Sequence, residues 1–230
     1  MHRWLRRALW DVVPREDRES PAALRRRRRV TAAGVVAGAL LLGVSLRIEP
    51  GSAWFYPATF ALAAVWTVGA FASGPLHLGR IAGGRGGSPV RPVVTPVVLG
   101  LALAALFVAG ALVVREVPWL DQQVRSVVDI ADRGSLGLLV VVTVVNGVAE
   151  ELFFRGAAYA AVPRHPVAWT TVGYVLATLA TGNVMLAFAA VLLGVLVGLQ
   201  RRASGGVLGP ALTHCTWSLA MLFALPLLFA

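Results

Sequence analysis

After Arg133 this chain of 230 residues holds only two acidic residues, Glu150 and Glu151, side by side in the otherwise apolar stretch "NGVAEELFFRG". A carboxylate in hydrocarbon is costly unless it is paired, neutralised or hydrated, so such groups usually mark a site. Arg155 follows Glu151 by four residues, with the acid N-terminal to the base, the favourable order for an ion pair on a helix. Glu150 points about 100° away around the same helix, free to face a different cavity, and lies roughly 7–8 Å from the level of Arg155. His214, in "LTHCTWS", stands about two turns into the last apolar stretch, at a depth matching that of Glu150. An acid and an imidazole at one depth on two helices suggest a shared polar pocket able to move a proton. The structural alternative is an ion pair near an interface, a snorkelling Glu150 and a histidine satisfied within its own helix.

The elements that must position these groups are transmembrane helices. The chain is 57% hydrophobic with a mean hydropathy of +0.74, far too apolar for an ordinary soluble domain. Runs of roughly 20 apolar residues are needed to span a bilayer. Seven candidates are found, at 30–46, 53–72, 93–114, 136–154, 167–181, 184–199 and 207–229, the shorter of which can dip rather than cross. The expected fold is therefore all-α, a polytopic bundle of about seven spans. Its parts are a basic tail (1–29), three helices with an external loop (30–135) and a core carrying the ionisable residues (136–230). In loop 115–135, Trp119, Val124, Val127 and Val128 fit an amphipathic surface helix.

Charge sets the orientation. All 21 basic residues are arginine, and ten of them fall within residues 1–29 against four acids, Asp11, Glu16, Asp17 and Glu19. A basic tail before an apolar span is the mark of a cytoplasmic N-terminus that touches anionic lipid, and it argues against nucleic acid as the partner. Arg80, Arg85, Arg91, Arg155, Arg164, Arg201 and Arg202 fall on the same side. The expected location is an integral membrane protein of a bacterial plasma membrane. The glycine-rich "GGRGG" lacks the Lys-Ser/Thr of a phosphate-binding loop and reads as a linker. A single cysteine, Cys215, leaves no disulfide framework and no cysteine cluster for a metal.

"EELFFRG", followed about sixty residues later by "GGVLGPALTHCTWS", resembles the CPBP family of intramembrane endopeptidases (CAAX proteases and bacteriocin-processing or Abi proteins), related to the type II CAAX prenyl proteases. The family pattern is a Glu-Glu-x-x-x-Arg helix, a Phe-x-x-x-His helix and a His-x-x-x-Asn/Asp helix. The first part is complete in Glu150, Glu151 and Arg155. The second is replaced by Tyr174 and Thr178, with no histidine in the helix; His165 lies in the preceding loop "PRHP". In the third, His214 is kept and Ser218 stands where Asn or Asp is expected.

The resemblance implies metal-independent hydrolysis of a peptide bond by a glutamate-activated water, without a cofactor. Glu150 would be the general base, since a partly desolvated carboxylate is suited to accept and return a proton. Glu151 would be held ionised by Arg155. His214, assisted by Ser218, would donate to the developing oxyanion. Thr178 can donate a hydrogen bond but cannot act as a base. Zinc is the rival chemistry: Glu150, Glu151 and His214 would make three ligands, but Glu151 is better explained by Arg155, and no His-Glu-x-x-His helix is present. The substrate would be a membrane-bound peptide or protein, a prenylated CAAX-type C-terminus being one kind. Two further functions are compatible with the same residues. A non-catalytic relative would bind a membrane partner or give peptide immunity, and a transporter would use Glu150 and His214 as a proton path, although no internal repeat is visible.

Overall fold

A backbone crossing hydrocarbon must satisfy its own N–H and C=O groups, and the apolar runs of this sequence do so as helix. In the computed structural model, which describes residues 3–14, 19–45, 48, 52, 54–84, 87–133 and 135–229, nine helices and no strand are found among the described residues. They are α1 (Arg3–Leu9), α2 (Pro21–Ser45), α3 (Phe55–Ser73), α4 (Val94–Val114), α5 (Pro118–Arg133), α6 (Leu136–Ala161), α7 (Pro166–Leu179), α8 (Val184–Ser204) and α9 (Leu208–Phe229). Five of them, α3, α4, α6, α8 and α9, are long and apolar enough to cross a membrane. The other two expected spans are α7, apolar but of 14 residues, and the apolar second half of α2.

Between helices in lipid the driving force is close packing, so small residues sit where backbones meet. Gly34 and Gly38 lie one turn apart on α2. A Cβ at Gly38 would run into the Trp66 indole of α3, and one at Gly34 into the Phe153 ring of α6. Those two rings and Phe154 form the buried centre of the α2–α3–α6 group, with Trp66 centroids 4.6 Å from Phe153 and 5.2 Å from Phe154. On the other side, α9 packs along α4 and α6, and α7 along α8.

The described part of the arginine-rich N-terminal stretch is largely helical. The run Arg25–Arg29 belongs to the first turns of α2, so the tail boundary drawn at residue 29 falls inside a helix. Arg27 is buried, paired with Glu19 and donating to Ser73 Oγ and the Pro75 carbonyl, both at 3.1 Å. Arg26 donates to the Ala72 carbonyl and Arg28 to that of Ala161. These contacts fasten the ends of α3 and α6, with Arg27 buried and Arg26 and Arg28 still exposed. Ahead of them, α1 lays Ala8 and Leu9 on Leu99, Leu196 and Leu199 of α4 and α8. Glu16, Asp17 and Arg85 lie outside the described residues. At the opposite end, α5 buries Val124 and Val128 against Ala111 and Phe229 and leaves Trp119 exposed, an amphipathic helix as its pattern predicts.

Candidate active site

The site is built where α6 changes its winding. From Glu151 to Ala158 the helix is π-helical, and seven of these eight residues are buried. Single π turns within α-helices are uncommon and recur at functional sites. The wider turn still leaves Glu151 and Arg155 on one face: Arg155 Nη1 donates to Glu151 Oε1 at 3.1 Å, with both side chains fully buried. Room for the guanidinium comes from α8, where a Cβ at Gly194 would stand 3.3 Å from Arg155 Nη2. Arg201, one of the arginines expected at the membrane surface, is buried instead. Its Nε donates to the Arg155 carbonyl at 2.6 Å.

α9 brings the imidazole. Its residues Thr213–Cys215 pass close to α6 at Gly147, where a Cβ would lie 3.2 Å from Cys215 Sγ and 3.7 Å from the His214 ring. Thr213 holds the helix in register on the other side. It donates to the Pro96 carbonyl at 2.9 Å and accepts from Gln200 Nε2 at 2.7 Å. His214 Nδ1 meets Glu151 Oε1 at 2.8 Å, and its Nε2 is 4.0 Å from Glu150 Oε2. Next to an ionised carboxylate Nδ1 is the donor, which leaves Nε2 as the nitrogen turned toward Glu150. Glu151 thus binds two partners, one more than the sequence assigns to it.

The two glutamates differ in access. Glu151 is fully enclosed, whereas the Glu150 side chain keeps 21% of its surface open. Tyr174 of α7 closes this cluster. The Arg155 guanidinium lies 4.8 Å over its ring, and the His214 ring stands 6.4 Å away, edge-on.

Thr178 and Ser218 stand apart from this group. The Thr178 hydroxyl donates to the Tyr174 carbonyl at 2.9 Å, within its own helix. Ser218, one turn beyond His214, lines an apolar cavity of about 500 Å³ bounded by α4, α5, α6, α8 and α9. Trp217 and Thr143 line the same cavity, so its inner end lies beside the polar cluster. His165 is exposed in the loop before α7 with left-handed backbone, φ 50°. Asn183 caps α8, accepting from the Met185 and Leu186 amides, and its amide donates to Gln123 and Ser126 of α5.

Sequence reasoning missed the His214–Glu151 bond, the π-helical turn, the Arg201 anchor and the space made by Gly194. An imidazole at the depth of a paired acid was a usable signal for the first. The others depend on how three helices meet, which no local spacing encodes.

Residues 132–220 match the family model of the type II CAAX prenyl endopeptidase Rce1-like proteins. No curated protein and no solved structure matches the chain. The matched segment contains Glu150, Glu151, Arg155, Tyr174, Thr178, His214 and Ser218, that is, every residue named above as a candidate. With five apolar helices of spanning length, this chain is an integral membrane protein, and its residues 132–220 are similar to the Rce1-like type II CAAX prenyl endopeptidases.

Proposed function

We propose that the protein is an intramembrane endopeptidase that hydrolyses a peptide bond of a membrane-associated substrate with a water activated by Glu150. One observation carries the reading. In the chain of contacts Glu150–His214–Glu151–Arg155, the acid at one end is open while the pair at the other is sealed. Glu150 accepts a proton from the attacking water as the C–O bond forms and the carbonyl electron pair moves to oxygen. His214 Nε2, 4.0 Å from Glu150, donates to that oxygen; the role requires a proton on both ring nitrogens, with the one at Nδ1 held by Glu151. Collapse breaks the C–N bond, and the proton on Glu150 passes to the leaving nitrogen.

Donor chemistry supports a metal-independent route. Glu151 Oε1 is shared by Arg155 and His214, so this carboxylate is held by a cation and an imidazole, whereas a catalytic zinc takes three protein ligands. The apolar cavity beside Trp217 and Ser218 has a volume in the range of small-ligand sites and suits the hydrocarbon part of a lipid-modified peptide, such as a prenylated C-terminus. On the positive-inside rule the arginine-rich end faces the cytoplasm, and exposed arginines there, Arg3, Arg25, Arg29, Arg80 and Arg164 among them, can meet anionic headgroups.

One observation favours a second reading, a non-catalytic relative that binds a membrane peptide: Thr178 spends its hydroxyl on its own helix. The test is cleavage of prenylated and unmodified membrane peptides by the purified protein in lipid, with chelator present. Cleavage that vanishes in Glu150→Gln supports hydrolysis. Peptide binding without cleavage, equal in both proteins, would overturn it in favour of binding.

A further inference from the structure

We propose that the apolar cavity is a lateral lipid site, in which an acyl chain of the outer leaflet lies after entering sideways between α4 and α8. The inference rests on the reading of this cavity as a hydrocarbon pocket and deepens it, since a substrate chain has to displace the lipid. α9 forms the back of the slot, and α4 and α8 form its sides. Three lining residues on those sides, Leu106, Gly110 and Phe188, are exposed, and on two spanning helices that exposure is to hydrocarbon. The slot is therefore continuous with the lipid-facing surface. Gly110 keeps the opening wide, because a Cβ there would meet nothing within 4 Å. Toward the polar cluster the opening ends, where the Phe107 ring stands 6.2 Å from Phe188 and 5.2 Å from Trp217.

The outer end is roofed by α5. Its Val124 and Val128 pack against Ala111 and Phe229. Asn183 fastens it to α8, donating to the Gln123 carbonyl at 2.7 Å and to Ser126 Oγ at 3.2 Å, and Arg125 fastens it to α9 through the Phe229 carbonyl. A ligand thus arrives from the side, at membrane depth, and its chemistry must match the walls. Water would find few partners there: Gln123 gives its Oε1 to the Val184 amide at 3.3 Å, and Ser218 stands at the inner end. The lining runs from Leu106 to Val114 on α4 and from Ser218 to Pro226 on α9. Each stretch is about 12 Å of helix, against roughly 15 Å for the chains of one leaflet, so one acyl chain fits. On the positive-inside rule α5 lies on the external side, which makes the outer leaflet the source.

The test is tryptophan fluorescence of the full-length protein in bilayer discs of phosphatidylcholine with brominated acyl chains, since bromine quenches the indoles it touches. Trp217 lines the slot, and its share of the signal is the difference between wild type and Trp217→Phe. That share should be quenched in brominated lipid and intact in the unbrominated lipid. In Gly110→Phe, whose ring fills the opening, Trp217 should keep its fluorescence. In Phe188→Ala, which widens the same opening, quenching should be at least as strong as in wild type. Trp217 unquenched in wild type, or quenched equally in Gly110→Phe, would overturn the proposal. No turnover is needed, so the result holds whether or not the protein cleaves peptides. An excess of prenylated peptide should restore the fluorescence. Quenching that persists with the peptide present still supports the lipid site and fails the substrate reading of the cavity alone.

Discussion

Arg155→Met isolates the part of the site on which the rest stands. The guanidinium and the Glu151 carboxylate are fully buried and 3.1 Å apart, and removing one partner of such a pair leaves an uncompensated buried charge at a cost of about 3–5 kcal/mol. Loss of the cation over Tyr174 adds about 0.5–2 kcal/mol. Methionine fills much of the same volume beside Gly194, so a cavity contributes little. The double variant Glu151→Gln with Arg155→Met removes both charges and still offers His214 Nδ1 an acceptor. It should therefore be less destabilised than the two single changes added together, by about 2 kcal/mol or more. Reversible unfolding in bicelles, by steric trapping or by a denaturing detergent, measures all four proteins. Arg155→Met within about 0.5 kcal/mol of wild type, or strictly additive single changes, would refute the reasoning, since either result means that the pair is hydrated or apart.

Three other outcomes follow from packing. Gly38→Val drives a side chain into Trp66 and should destabilise the α2–α3 contact by about 1–3 kcal/mol, read by the same unfolding assay. Asn183→Ala removes the cap of α8 together with its bonds to Gln123 and Ser126, so a loss of about 1–2 kcal/mol should come with faster amide exchange in α5. Met221→Trp narrows the apolar cavity. Cleavage of substrates with long hydrocarbon chains should fall through KM, whereas short-chain peptides keep wild-type kinetics.

Charge in an apolar sequence is conspicuous, and that made half of the site legible. Glu150, Glu151 and Arg155 stood out because hydrocarbon tolerates few such groups, and equal depth pointed to His214. The helical architecture was readable for the same reason, from runs of bilayer length. Other features were opaque because their signals are ambiguous. A four-residue spacing fits an α-turn and the π-turn of α6 alike, so the change of winding at Glu151 left no mark. Arginine in a loop or at a helix end reads as interfacial, yet Arg27 and Arg201 are buried donors to backbone carbonyls and side chains that only the folded chain provides. Thr178 illustrates a competition that local rules do describe, since a threonine hydroxyl within a helix readily bonds the carbonyl four residues back. Tyr174 reads from the sequence as a mere variant of an aromatic position. Its ring acquires meaning only once Arg155 of α6 and His214 of α9 stand against it.

The central claim is that the Glu150 carboxylate takes the proton of the attacking water. Single-turnover cleavage by wild type and Glu150→Gln, with bound peptide measured separately, addresses it most directly. The account predicts a cleavage rate lower by about 10²–10⁴-fold at unchanged peptide affinity. A glutamine variant that cleaves within a few-fold of wild type would place the base elsewhere.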